Sequence, residues 1–538
     1  MTNPSLALEG VSYVLPDGRM LFSDLHEQFD RRPTGLVGRN GVGKTVLARI
    51  LAGELQPSAG RCVRSGSAQV LAQQISHPKG ASVAGLAGVQ DTVDALARIE
   101  AGSAIPADFD AVGDRWDIHQ RLRQELDRNR LGHLDASTPA TALSGGEAMR
   151  VALIGAMLSD ADFLILDEPS NHLDLANRQA LIEQLQHWPR GLLVISHDRQ
   201  LLEAMTRIMD LSSLGLRGYG GNYTFYTQCK AQERLNAIQK LEQRKLERQR
   251  KDQSMREQRE RQERRQARGD RQGGEANQAK ILLDRQKERS ENSAGKLSQK
   301  HGAAREQLVQ RVREAWQQVE DDAPITLHAL PVIQAAQRLV ADLDAVELPF
   351  VAGTTRHVDL MLVGQQRVGV VGPNGCGKST LLKVLAGQLQ PLAGVCKVSV
   401  ASVYLDQRLA NLDTQRPVLE QMLAANRNLT EGDLRTRLAH LGLDAQKIVL
   451  PSGSLSGGER LKAALACVLY ADPPAQLLLL DEPSNHLDLP SVQALEVMLR
   501  SYQGALVVVS HDEAFMNSLE LTNRLVATEH GWRLEPWR

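Results

Sequence analysis

Leu143-Ser-Gly-Gly-Glu147, followed by Phe163-Leu-Ile-Leu-Asp-Glu-Pro-Ser-Asn-His-Leu-Asp174, occurs a second time as Leu455-Ser-Gly-Gly-Glu459 and Leu477-Leu-Leu-Leu-Asp-Glu-Pro-Ser-Asn-His-Leu-Asp488. A repeat of this length sets the register for the whole chain. Upstream, Gly38-Arg-Asn-Gly-Val-Gly-Lys-Thr45 pairs with Gly372-Pro-Asn-Gly-Cys-Gly-Lys-Ser379, and Gln73 pairs with Gln407, both at an offset of 334. The offset is 312 at Ser144 and Ser456. It is 314 at Asp167 and Asp481 and again at His197 and His511. It stays constant within blocks and changes only between them. The first copy therefore holds 22 extra residues between its Gln and its Leu-Ser-Gly-Gly. A duplicated domain with one insertion accounts for this; five motifs recurring in order by chance do not.

Working outward, Leu36-Val37 enters the first glycine-rich loop, and an apolar helical pattern through Val46, Leu47, Ile50 and Leu51 leaves it. Strand, loop and helix form the context a phosphate loop requires. Apolar runs at 163–166 and 192–195 end at Asp167-Glu168 and Ser196-His197-Asp198, with a helical pattern between them. Alternating strands and helices predict parallel α/β cores. The expected organisation is two tandem P-loop ATPase domains joined by a long charged helical hairpin. Their spans are 1–225, with a helical insertion at about 74–142, then a linker at 226–325, then 326–538.

Both loops fit G-x-x-x-x-G-K-[ST]. Gly38, Asn40, Gly41 and Gly43, and likewise Gly372, Asn374, Gly375 and Gly377, let backbone N–H groups close around phosphate oxygens at a helix N-terminus. Lys44 and Lys378 are placed to neutralise phosphate, and Thr380 continues the second loop. Thr45 and Ser379 offer hydroxyls to Mg²⁺, with Asp167 and Asp481 in its shell. Glu168 and Glu482 follow directly and suit polarising an attacking water. His197 and His511 end a neighbouring strand within reach of a terminal phosphate, and Gln73 and Gln407 are candidates for Mg²⁺ or the water. Ser144-Gly145-Gly146 and Ser456-Gly457-Gly458 open helices, which makes each a second anion-binding end as well as a cap.

Composition narrows the class. Net charge is −1 and aromatics are 4% of the chain, so no global attraction to nucleic acid or membrane follows. The balance is uneven: 24 Lys+Arg face 15 Asp+Glu between Lys230 and Glu320, leaving −10 for the rest. Two long helices with a turn near 269–275 are expected in that stretch, where Gly269, Gly273 and Gly274 interrupt the pattern. The five cysteines have no metal-ligand spacing and point to a reducing compartment. The N-terminus lacks signal-peptide regions, and no apolar run reaches the roughly 18–20 residues of a membrane span.

Phosphate loop, Gln, Leu-Ser-Gly-Gly, Asp-Glu-Pro and His, in that order, resemble ATP-binding cassette ATPase domains. Two cassettes on one chain, the doubled Ser-Asn-His-Leu-Asp and a charged linker resemble the ABC-F family over almost the full length. The resemblance implies a cytoplasmic monomer whose cassettes close head to tail on two ATP molecules. One site would join Lys44, Thr45, Gln73, Asp167, Glu168 and His197 to Ser456 and Gly458; the other would join Lys378, Ser379, Gln407, Asp481, Glu482 and His511 to Ser144 and Gly146. Tyr13 stands where the family stacks an aromatic ring on adenine, whereas the matching position in the second cassette is Glu347, with Phe350 nearby. The resemblance also implies ribosome binding, with the linker near rRNA and tRNA at the exit site. Arg261, Arg264, Arg265, Arg268 and Arg271 suit phosphate contacts on folded RNA. A role in translation and a role in antibiotic protection share these motifs. The rival readings are the ATPase subunit of a transporter and a DNA-repair or chromosome ATPase. The first leaves the basic linker unexplained, and the linker is too short for the coiled-coil arm of the second.

Overall fold

The computed structural model describes residues 4–71, 80–159, 161–171, 173–275, 302, 305–316, 338–406, 412–426, 428–443, 445–485 and 487–537. The first cassette contributes β1 (Leu6–Val14), β2 (Met20–Phe29), β3 (Thr34–Gly38), β4 (Ala59–Arg64), β5 (Ala68–Leu71), β6 (Phe163–Asp167), β7 (Gly191–Ile195), β8 (Arg207–Ser212) and β9 (Gly215–Tyr219). The second contributes β10 (Leu339–Glu347), β11 (His357–Val363), β12 (Arg367–Val371), β13 (Ala393–Val398), β14 (Ser402–Leu405), β15 (Leu477–Asp481), β16 (Ala505–Val509), β17 (Asn523–Thr528) and β18 (Gly531–Pro536).

Each cassette has one antiparallel three-stranded sheet, ordered β2-β1-β4 or β11-β10-β13. Each also has a six-stranded sheet, ordered β5-β6-β7-β3-β8-β9 or β14-β15-β16-β12-β17-β18. Only the last pair of the larger sheet is antiparallel. Every residue of β6, β7, β15 and β16 is buried, as parallel strands covered on both faces must be. One core lies between the two sheets of the first cassette and includes Leu6, Phe22, Leu47, Ile50, Ile165 and Leu193. On the opposite face, Leu164, Leu166, Val194, Leu181 and Leu185 form another. The carboxyl ends of β3, β6 and β7 lie level, with Leu36 and Asp167 both paired to Ile195. Ligands of open α/β sheets bind at such ends.

Within the expected helical stretch of the first cassette, α-helices begin at Val83 and end at Arg128 with loops between them; residues 74–79 lie outside the described residues. It holds helices Val83–Leu86, Gln90–Glu100, Pro106–Val112 and Ile118–Arg128, where the second cassette has Val418–Ala425 and Glu431–His440. The longer version is packed structure. Val83, Leu96, Val112, Ile118 and Leu122 share a core with Val151 and Ile154 of the helix Gly145–Leu158. Arg98 also donates to the buried Asp108 at 2.8 Å, linking two of the added helices.

Both cassettes form one compact unit, Met1–Tyr226 with Ile325–Arg538, and Thr227–Pro324 forms a second. The chain enters the second unit on one helix of 53 residues, Tyr223–Glu275. The turn expected near 269–275 is therefore overturned: the helix runs through Gly269, Gly273 and Gly274. Each glycine costs about 1 kcal/mol against alanine, and the Arg, Gln and Glu around them are strong helix formers. Residues 305–316 are helical, and Arg305 comes within 3.9 Å of Asp252, so this segment lies beside the long helix. Among the described residues, no helix is long and apolar enough to cross a membrane.

Candidate active site

Each glycine-rich loop ends in a left-handed glycine that caps the next helix. Gly43 (φ 107°) precedes Lys44–Ala52, and Gly377 (φ 99°) precedes Lys378–Leu385. Any Cβ at these positions would also come within 2.9 Å of Phe22 or 2.8 Å of Val351. Lys44 and Lys378 are both buried. Lys44 Nζ donates to the carbonyls of Gly38 (2.7 Å) and Arg39 (3.1 Å). Lys378 Nζ donates to those of Gly372 and Pro373, each at 2.9 Å. Burial pushes the Lys44 ammonium below its ordinary range, against the fields of Glu168, Asp488 and Asp167.

The acidic pairs sit where the sequence placed them, at the ends of β6 and β15. Glu168 (φ 52°) and Glu482 (φ 49°) take up left-handed backbone, held by N–H bonds to the carbonyls of Ile195 (2.8 Å) and Val509 (2.9 Å). This turn aims each carboxylate at the neighbouring histidine. Glu168 Oε1 lies 3.5 Å from His197 Nε2, and Glu482 Oε1 lies 3.4 Å from His511 Nε2. Burial raises both carboxyls, Glu482 to about 7. It lowers His197 to about 3 and His511 to about 4, so both imidazoles are neutral at pH 7.

The metal-ligand candidates differ between the cassettes. Thr45 Oγ1 donates to Asp167 Oδ2 at 2.6 Å. In the second cassette the buried Tyr404 hydroxyl donates to Asp481 Oδ2 at 3.0 Å. Tyr404 corresponds to Val70, so its role was missed; a lone tyrosine in an apolar strand gave no signal. Gln73 and Gln407 lie outside the described residues. Ser144 and Ser456 are helix N-caps, each in a capping box with Glu147 or Glu459.

The structure brings the cassettes together through a residue that sequence reasoning quoted but left without a role, the final Asp of Ser-Asn-His-Leu-Asp. Asp488 Oδ2 accepts from the Asn40 N–H of the first phosphate loop at 2.9 Å. Asp174 Oδ2 accepts from the Asn374 N–H of the second at 3.5 Å. Lys462, on the helix capped by Ser456, lies in the fields of Asp488 and of Arg39 from the first loop. The second cassette's Ser-Gly-Gly helix therefore faces the first phosphate loop.

The adenine-platform candidates separate cleanly. Tyr13 is half-buried with its ring 6.3 Å from that of Phe22, the residue packed on Gly43. Glu347 is engaged by Arg356 at 2.5 Å. Phe350 is 93% exposed at φ 61°, one residue before the Val351 that packs on Gly377.

Comparison with known proteins agrees with this architecture. The family model described as "ABC transporter" matches residues 30–171 and 355–485. The chain is 32% identical to the tylosin resistance ATP-binding protein TlrC of Streptomyces fradiae, over 95% of each chain. It is 30% identical to the energy-dependent translational throttle protein EttA of Mycobacterium tuberculosis, over 90% of this chain and 84% of that one. Among solved structures, the archaeal ribosome recycling factor aABCE1, crystallised with the ribosomal stalk protein aP1, shares the fold at a TM-score of 0.59. Its identity is 19%, over 98% of this chain and 90% of that one. With two complete cassettes facing one another across their phosphate loops, the chain belongs to the ATP-binding cassette superfamily, as a two-site ATPase of the ABC-F family.

Proposed function

We propose that ATP and Mg²⁺ occupy two composite sites, each made of one cassette's phosphate loop and the other's Ser-Gly-Gly helix. The observation that carries this is the reciprocal reach of Asp488 and Asp174 to the opposite phosphate loops. Lys44 and Lys378 bind phosphate, and Phe350 and Tyr13 carry the adenines. The oxygen donors suit a hard divalent cation. Thr45 and Asp167 converge at 2.6 Å, and Asp481 Oδ1 is buried without a hydrogen-bond partner among the described residues. Mg²⁺ neutralises charge on the β and γ phosphates when bound. Glu168 and Glu482 take the proton of the attacking water as its oxygen joins the γ-phosphorus and the bond to the ADP oxygen breaks. His197 and His511 hold the carboxylates and the γ-phosphate in line.

The ATP-bound form binds the ribosome in the cytoplasm as a monomer and acts on translation through residues 226–325. Support comes from the family itself, the EttA relative's role as a translational throttle, and the net positive linker. Similar identity to TlrC and to EttA leaves both antibiotic protection and general translation control within this reading. The test is sedimentation of the Glu168→Gln, Glu482→Gln double variant with ribosomes. It is expected to bind ATP without turnover and to comigrate only with ATP, less so as salt rises. Retention of ATP without comigration would refute the ribosomal reading.

A further inference from the structure

Among the described residues, a bridge joins the two sites on one side only. Arg178 lies on the helix Leu175–Gln186, which Asp174 caps, and is 8% exposed. Its Nη1 donates to the main-chain carbonyl of His511, in the opposite cassette, at 2.9 Å. Its Nε lies 3.2 Å from Asp198 Oδ2, and both side chains are nearly excluded from water. Asp198 directly follows His197 and caps the next helix through the N–H groups of Gln200 and Leu201. One guanidinium thus spans from the histidine loop of the first cassette to the histidine of the second.

The duplication supplies an internal control. At the 314 offset, Asp198 corresponds to Asp512, but Arg178 corresponds to Val492, whose buried side chain has no donor. The same helices diverge again nearby. Arg199 meets Glu496 at 2.8 Å, where the register matches Arg199 to Glu513 and Glu496 to Ile182. The polar interface between the cassettes is therefore not two-fold symmetric.

We propose that Arg178 is a positioning residue for the Lys378-containing site. It fixes the His511 backbone, and with it the imidazole beside Glu482, only while the cassettes are closed. Hydrolysis at that site then depends on the first cassette's Asp198, and the two ATP sites turn over unequally. The arginine's Nη1 hydrogen-bonds the carbonyl while its charge lies 3.2 Å from the Asp198 carboxylate, an ion-pair contact without an Nε hydrogen bond among the described residues. Loss of closure removes the carbonyl contact and leaves His511 without its clamp. The proposal rests on the assignment of the two composite sites above.

The test uses the full chain with Arg178→Met and Arg178→Lys. Vanadate trapping of 8-azido-ATP is followed by mass spectrometry of the peptides containing Lys44 and Lys378, with Glu168 and Glu482 native. Arg178→Met is expected to lower trapping at the Lys378 cassette tenfold or more and to leave the Lys44 cassette within twofold. Arg178→Lys is expected to restore part of it, since an ammonium reaches the carbonyl but not both partners. In the Glu168→Gln background Arg178→Met lowers kcat with KM within twofold; in the Glu482→Gln background it changes neither. Equal loss at both cassettes, loss confined to the Lys44 cassette, or no loss overturns the proposal. Selective trapping loss alongside Gln variants that fail to silence their own cassettes would instead refute the glutamate assignment and leave Arg178 standing.

Discussion

At the scale of single residues, backbone conformation does as much as side-chain chemistry. Glu168 and Glu482 hold a left-handed backbone that non-glycine residues rarely adopt, and such strain gathers at functional sites. The carboxylates gain a fixed approach to His197 and His511. General-base assistance is worth about 10²–10⁴-fold, so each Glu→Gln variant is expected to lose about that factor at its own site. Phosphate release after single-site nucleotide trapping checks this. The loop glycines answer to a different constraint. Gly43→Ala places a Cβ 2.9 Å from Phe22 at φ 107°. It is expected to weaken ATP binding at least tenfold, measured by equilibrium dialysis, because the loop must shift to admit it. These positions were legible because glycine, lysine and acidic residues recur at matched spacing. Tyr404 and Arg178 were not, since each lies on only one side of the duplication.

At the scale of elements, the strands were the easiest part to read. Leu477–Leu480 and Ala505–Val509 are continuous apolar runs and become central parallel strands. Leu479→Ala is expected to cost about 2–5 kcal/mol, as for other fully buried leucines, seen as a lower urea midpoint. The linker was harder. Glycine marks a turn in sequence terms, yet the helix Tyr223–Glu275 runs through three of them because its neighbours favour helix so strongly. Gly273→Ala is therefore expected to stabilise the linker by about 1 kcal/mol and deepen the 222 nm ellipticity. A turn at this position would give no gain. The inserted helices of the first cassette were foreseen as helical. Their packing on Val151 and Ile154 needed the third dimension, since those contacts join residues far apart in sequence.

At the scale of the whole molecule, the cassettes meet through Asp488 and Asp174, each on the opposite phosphate loop. Asp488 caps the helix Leu489–Ser501 and also accepts from Asn40. Asp488→Ala is expected to lose both roles, lowering turnover at the Lys44 site about tenfold. Asp488→Asn keeps a capping oxygen and is expected to retain most of the stability. Thermal melts and phosphate release separate the two effects. Deleting Arg261 to Ala276 is expected to spare the ATPase and abolish any ribosome-linked effect, read by in vitro translation.

The sequence by itself determined the duplication, the order of the motifs and the cassette fold, because local spacing and alternating apolar runs encode strand, loop and helix directly. It also picked out Glu168 with His197 and Glu482 with His511, pairs that lie within 3.5 Å. Tertiary structure alone decided which half meets which. Asp174 and Asp488 became contacts, Phe350 came to lie exposed while Glu347 took Arg356, and Arg178 came to lie between Asp198 and His511. Those relations join residues as far as 448 positions apart, and only the packed chain brings their atoms within hydrogen-bonding distance.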